Sequence, residues 1–115
     1  MIKTDKPATF SESEIAQFEN NPKNKSRGKV QVLDYDSDET PERPARFFVA
    51  KPNREMLMMV AEIQGAGNGS MAKANDLLIN GCVLAGDVEQ LESDDALYFG
   101  LLKDITELLE TKKKK

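Results

Sequence analysis

The chain has 115 residues, which is enough for one domain with a modest core. Its formal net charge is −4, from 16 basic and 20 acidic residues, and this argues against nucleic-acid binding because such proteins need a net basic face. It has no histidine and a single cysteine, so an internal disulfide is excluded and the usual general base is missing. No signal-peptide pattern and no apolar run near 18 residues is seen, so we expect a soluble cytoplasmic protein that does not bind membranes.

The two ends of the chain are predicted to lie outside the folded domain. Residues 1–10 begin with a mostly polar stretch and are predicted to be a flexible N-terminus, and residues 112–115 form a solvated lysine tail. A single domain is therefore predicted over residues 11–111. Within it, Ser11 and Glu14 fit a capping box, which predicts a short helix that ends near Glu19.

Two alternating, β-branched runs predict an antiparallel hairpin from residue 29 to residue 51. The runs are KVQVLDY (29–35) and ARFFVAK (45–51), and an acidic segment with two prolines (36–44) connects them. Residues 21–28, which precede the hairpin, read as a polar linker.

Both faces of each predicted strand carry apolar side chains. Leu33 and Tyr35 share one face of the first strand. Phe47 and Val49 share one face of the second strand, and Phe48 lies on its opposite face. Since a sheet wetted on one side has only one apolar face, both faces here need cover. We expect helices on one face, and Ile15 with Phe18 or a partner subunit on the other.

Apolar periodicity predicts three further helices, over about residues 53–64, 71–83 and 94–111. The first has a stripe made of Met56, Met59, Val60 and Ile63, with Leu57 and Ala61 at its edge. The second has the broadest apolar arc and is expected to be the most buried; its members are Ala74, Leu77, Leu78, Ile79, Cys82 and Val83.

The third helix is expected to start at Ser93 as N-cap, followed by two acids at the positive end of the helix dipole. Its seam consists of Leu97, Leu101, Ile105 and Leu108. The pattern leaves open whether residues 88–91 are helix, strand or loop. The predicted fold is α+β: an antiparallel hairpin, completed or not by a partner's strands, packed on a three-helix C-terminal bundle with a short N-terminal helix.

Two segments have part of a ligand-binding pattern. Residues 34–38 alternate carboxylates as calcium loops do, but the sixth and twelfth positions hold Glu39 and Ala45 where such a loop needs Gly and Glu. The glycine link at residues 65–70 follows a helix and lacks the spacing of a phosphate-binding loop. We therefore expect an exposed hairpin loop and a helix–helix link, without a metal or cofactor.

No spacing in the chain points to catalysis, and we expect that the protein is not an enzyme. Cys82 falls within an apolar arc, which favours a buried thiol over a nucleophile. The acidic pairs Glu89 with Glu92 and Asp94 with Asp95 read as a solvated turn and a helix cap rather than acid–base groups.

Two apolar residues interrupt the polar sides of their helices. Met58 lies among Arg54, Glu55 and Glu62, and Phe99 lies among polar residues of the last helix. Because Met and Phe are enriched where proteins meet, we predict a protein interface that includes Met58 and Phe99. Met56 and Phe48 are added to it as candidate interface residues.

Three short segments carry a resemblance to a known group of proteins. They are ANDLLINGC (74–82), AGD (85–87) and SDDALY (93–98), the last leading into a leucine-rich helix. With these, residues 47–110 resemble small bacteriophage tail-assembly chaperones. The resemblance implies a non-enzymatic protein of the host cytoplasm that binds the long tape-measure protein during tail assembly, often with self-association.

Two functions follow from these observations. The first is a non-enzymatic protein-interaction or assembly factor, which we expect to bind a protein partner and to form homo-oligomers. The alternative is a small ligand- or metal-binding regulatory module that uses the acidic loop (34–42) or the glycine link (65–70).

Overall fold

The computed structural model of the protein describes residues 5–65 and 70–108. These residues form an antiparallel sheet with helices, which confirms the predicted α+β class. The elements are α1 (Glu12–Asn20), a 3-10 helix (Pro22–Arg27), β1 (Gln31–Tyr35), β2 (Ala45–Val49), α2 (Arg54–Gly65), α3 (Ser70–Cys82), β3 (Val83–Gly86), α4 (Gln90–Ser93) and α5 (Asp95–Glu107).

The predicted hairpin is present, with the expected faces. β1 and β2 are antiparallel, and Leu33 lies opposite Phe47 while Val32 lies opposite Phe48. Phe47 and Val49 face the helices and are fully buried. Leu33, together with Tyr35, packs against the edge of that core.

A third strand completes the sheet from within the chain, and here the sequence prediction was wrong. The second long helix ends at Cys82 instead of Val83, and Val83–Gly86 pairs with the far side of β2. Gly86 permits this pairing because its φ is +129° and a Cβ there would lie 2.2 Å from the Arg46 carbonyl oxygen. Strands from a partner are therefore not needed to build the three-stranded sheet.

The N-terminal segment contacts the sheet, in contrast to the predicted flexible terminus. Residues 1–4 lie outside the described residues, but the Pro7 carbonyl accepts a hydrogen bond from the Gly86 N–H at 2.9 Å. Phe10 lies against Phe48, with ring centroids 6.1 Å apart. Phe10, which was not expected to have this role, thus covers Phe48 on the outer face of the sheet, while Val32 on the same face stays 48% exposed.

The polar linker predicted at residues 21–28 is mostly a 3-10 helix. The Asn21 side chain caps its first turn by accepting from the Lys23 N–H, and Pro22 occupies the first position. The short helix before it has the predicted capping box, with hydrogen bonds in both directions between Ser11 and Glu14.

The core lies between the inner face of the sheet and two helices, α3 and α5. Its residues are Ala45, Phe47, Val49, Ile79, Cys82, Val83, Val88, Leu91, Leu97, Leu101 and Ile105. The predicted seam of the last helix is thus correct, but its N-cap is Asp94 rather than Ser93, since the Asp94 carboxylate accepts from the Leu97 N–H at 3.0 Å. Of the segment left open, residues 88–89 form a turn and residues 90–91 are the first two of α4.

Helices α2 and α3 form an antiparallel pair. Met56, in the first turn of α2, lies against Gly81, near the end of α3, where a Cβ would come within 2.9 Å of the Met56 sulfur. α3 also packs against α5, so it is the central helix, and α2 lies at the periphery.

Candidate interaction surface

The helix α2 begins at a well-formed cap. The Asn53 carboxamide oxygen accepts from the Met56 N–H at 2.9 Å, and the helix then runs to Gly65. Its contact side is narrow: Met56, Val60 and Ile63, spaced as one helical stripe, are half-buried toward the rest of the molecule.

Although α2 is rich in apolar residues, none of its twelve residues is buried by the described part of the chain. Leu57, Met58 and Met59 follow one another and are 37%, 63% and 45% exposed. Met59 was predicted to lie in the packed stripe, and this was wrong because α2 has a single large packing partner, α3, which covers only the Met56–Val60–Ile63 side. The sequence signal for this surface is the run of four residues MLMM at 56–59, which leaves no face of the helix wholly polar.

The exposed side of α2 carries charged side chains at regular positions on either side of an apolar one. Arg54, Met58 and Glu62 are spaced four residues apart, so they share one face with Met58 at its middle. All three are exposed, and neither charged group forms an ion pair with another described residue.

Phe99 is exposed on the outer side of α5, as predicted. It is 59% exposed, and its ring lies edge-on to Tyr98 with centroids 5.2 Å apart. Tyr98 is fixed in turn by donating its hydroxyl to Asp76 of α3 at 2.7 Å. Burial and this carboxylate raise the pKa of Tyr98, so the phenol stays protonated as a donor.

The other two candidate interface residues lie elsewhere. Phe48 is only 8% exposed and lies on β2 under Phe10. It therefore does not lie on an exposed surface, in contrast to the prediction that it belongs to an interface. Met56 is half-buried against Gly81 on the inner side of α2. The four predicted residues are thus spread over β2, α2 and α5, and only Met58 and Phe99 are well exposed.

The acidic loop is held by ion pairs. Arg46 donates two hydrogen bonds to Asp34, at 2.8 and 2.9 Å, and Arg43 donates two to Asp87, at 2.9 and 3.0 Å. These bonds lower the pKa of both carboxyl groups. The loop residues Ser37 and Glu39 form further hydrogen bonds, with Gln90 and Ser93 respectively.

Because of these ion pairs, the loop has few charged groups left to bind a ligand. Among residues 5–65 and 70–108, no three acidic or cysteine side chains come together so as to hold a metal ion. A cleft of about 480 Å³ lies between the N-terminal segment and the loop, with Arg43 and Arg46 at its rim. Both guanidinium groups are already paired with carboxylates, so the cleft offers little net charge. Of the predicted glycine link, residues 66–69 lie outside the described residues.

Cys82 is fully buried in the core, as its helical position predicted. Burial raises the pKa of its thiol to about 11, against the opposing effect of the neighbouring Arg27 guanidinium. A thiol in this state is a poor nucleophile at neutral pH. Of the acidic pairs, Asp94 caps α5, while Glu89, Glu92 and Asp95 are exposed.

Two further expectations concern membrane binding and the lysine tail. Within the described ranges, none of the helices has the length and apolar character needed to cross a membrane. The lysine tail at residues 112–115 lies outside the described residues.

Comparisons of the chain with protein-family models, with curated proteins and with solved structures found no match. A function is therefore inferred from the surfaces and side chains described above.

Proposed function

We propose that the protein is a non-enzymatic interaction or assembly factor that binds another protein through the exposed face of α2. The observation that carries this proposal is the contrast between composition and burial: α2 has six large apolar residues among twelve, and none of the twelve is buried. Consecutive exposed apolar residues of this kind mark protein-binding surfaces more often than isolated ones do.

The side chains of this face suit an apolar helical partner. Methionine is unbranched and flexible, so Met58 and Met59 can fit differently shaped partners. An amphipathic helix that lays its apolar side along α2 over Met58 would have Leu57 and Met59 at the two edges of the contact. The resemblance to phage tail-assembly chaperones suggests one such partner, an unassembled tape-measure protein in the host cytoplasm.

The proposal that the protein is not an enzyme is supported by what its reactive groups do. Asp34 and Asp87 are paired with arginines, Asp94 caps a helix, and Cys82 is buried beside Arg27. A ligand-binding role for the loop at residues 34–42 is the alternative, but its pairing partners compete with any added ion.

Replacing Met58 with glutamate tests the proposal. The two residues have similar helix propensities and the site is exposed, so the fold is expected to be unchanged. We expect affinity capture from the native source to retain a dominant protein with the wild type and to lose it about tenfold with M58E, because a charge placed at the centre of the contact must be desolvated.

Val32→Glu is the matched control for that capture. Val32 is an exposed apolar residue, 48% exposed against 63% for Met58, but it lies on β1 rather than on α2. Equal capture by wild type, M58E and V32E would contradict the proposed surface. Phe99→Glu, measured alongside, reports whether α5 contributes to the same contact.

A further inference from the structure

The exposed face of α2 is symmetric in its chemical pattern about Met58. Arg54 precedes Met58 by four residues and Glu62 follows it by four, which places the charges about 6 Å on either side along the axis. Leu57 and Met59 lie at the two edges of this face, each about 100° around the helix from Met58, and both are exposed. Reversing the helix end for end exchanges a positive charge with a negative one and leaves the apolar centre in place.

Both charges oppose the dipole of their own helix. Arg54 is the first residue of α2, where the exposed N–H groups make the end positive, and Glu62 lies in the last turn, where the end is negative. Neither charge is offset by an ion pair with another described residue. Glu55 has the favourable sign for the first turn, but it lies on the flank of this face.

We infer that the occupant of this face is α2 of a second copy of the chain, packed antiparallel about a two-fold axis through Met58. In that arrangement Arg54 lies opposite the partner subunit's Glu62, and the same pair forms again across the axis. Each charge that is misplaced on its own helix then lies beside the favourable end of the neighbouring helix. Met58 meets the partner's Met58 on the axis, with Leu57 beside the partner's Leu57 on one flank and Met59 beside the partner's Met59 on the other, so the centre of the contact is apolar.

Small residues allow the two helices to approach. Ala61 is on the same side as Met58, and Gly65 ends the helix with no side chain there. Their size favours close contact at the ends of the pair, while the methionines fill the middle.

The size of the contact sets its strength. Twelve residues make a helix about 18 Å long, so a pair of such helices gives an interface at the small end of the known range. The dimer is therefore expected to be weak, with dissociation into monomers on dilution from the high to the low micromolar range. A weak contact of this kind leaves α2 available to another protein.

Charge reversal tests the antiparallel pairing by sedimentation equilibrium across a hundredfold range of protein concentration. In R54E, two glutamates of each subunit meet two of the other, and in E62R arginines meet arginines, so each variant is expected to dimerise at least about tenfold more weakly than wild type. An equimolar mixture of R54E and E62R restores both pairs in a heterodimer, and its association is expected to return to within about threefold of wild type. The double variant R54E/E62R should associate likewise.

The test separates association from folding. Each reversal removes a charge that opposes the dipole of α2, so the monomers of R54E and E62R are expected to unfold at the same temperature as wild type or higher. Intrachain repair cannot explain recovery in the mixture, because the two substitutions are then on different chains.

The outcomes distinguish this inference from the proposed function on which it rests. A wild type that stays monomeric at every concentration, or a mixture that associates no better than its components, overturns the antiparallel dimer. Capture of another protein through Met58 would still support the proposed function in that case. A dimer with the predicted charge response but no Met58-dependent capture would uphold the inference and count against a separate partner.

Discussion

Arg27 joins three parts of the fold through one buried guanidinium group. Its Nε donates to the Lys51 carbonyl and one terminal nitrogen to the Gly81 carbonyl, both at 2.8 Å. Its central carbon lies 5.5 Å from the centroid of the Phe18 ring, at a distance that suits a cation–π contact. The group thus ties α1 and the 3-10 helix to the residues after β2 and to the end of α3.

Replacing Arg27 with methionine tests this role. Methionine keeps much of the apolar contact but leaves two carbonyl groups without their donor, so we expect a loss of about 2–4 kcal/mol in the free energy of unfolding. Urea denaturation measures it. Lys25→Met, an exposed position in the same 3-10 helix, is the control and should change the value by less than about 0.5 kcal/mol. Similar losses for both variants would show that Arg27 has no special role.

The Arg27 contacts could not be predicted from the sequence. Asn21, Pro22 and the lysines around Arg27 are typical of a polar segment, and nothing in their spacing identifies which cation is buried. The contact is set by the position of Gly81 and Lys51, which are distant in sequence and are brought together only by the packing of α3 on the sheet.

At the scale of elements, the hairpin loop depends on Asp87, which follows β3. Its carboxylate accepts from the Arg46 N–H at 2.8 Å as well as from Arg43, so it connects the end of the sheet to the loop. The loop was expected to be exposed, and its bond to Asp87 was not predicted because β3 itself was not predicted.

Acid should weaken this connection in a defined direction. The Arg43 hydrogen bonds lower the pKa of Asp87 below its unfolded value of about 3.9, so its stabilisation is present above that pH and is lost as pH falls through the folded pKa. We expect D87N to cost about 1 kcal/mol at pH 7, and the gap from wild type to close between about pH 5 and pH 2. Thermal unfolding at several pH values measures the gap.

The matched control for D87N is D34N. Asp34 also pairs with an arginine, but both side chains of that pair are about half exposed, so its loss should cost less than that of Asp87. If D87N and wild type differed by the same amount at pH 2 and pH 7, the carboxylate would not be the source of the stabilisation.

Strong periodicity made most elements predictable, and the strand β3 was missed for two reasons. Alternation placed Leu33, Phe47 and Val49 on the correct face of the hairpin, and the spacing of Leu97, Leu101 and Ile105 gave the seam of α5. The strand β3 was missed because Val83 continues the apolar arc of α3, and a four-residue strand has too few positions to show alternation.

The candidate surface was predictable in part. Met58 and Phe99 could be identified because each lies among polar neighbours on a helix, and both are exposed. Met59 could not, since periodicity gives the apolar side of a helix but not how much of that side a neighbouring helix covers. Phe48 could not either, because the cover supplied by Phe10 comes from a segment with no regular pattern.

At the scale of the whole molecule, burial is unevenly divided. The sheet, α3 and α5 share one core, and the third strand comes from the same chain. α2 contributes Met56 to the edge of that core and exposes Leu57, Met58 and Met59. Removing the apolar character of position 58 should therefore affect association far more than folding, which is the opposite of the expectation for a core residue such as Leu101.

Site-specific cross-linking at position 58 tests the central claim most directly. A photoactivatable amino acid replaces Met58 in one sample and Val32 in another, and both proteins are irradiated in their native source. The account predicts a protein adduct at position 58, either a second copy or another protein, and at most a trace at position 32. An absence of adduct at position 58, or equal adducts at both positions, would contradict the claim that α2 is the interaction surface.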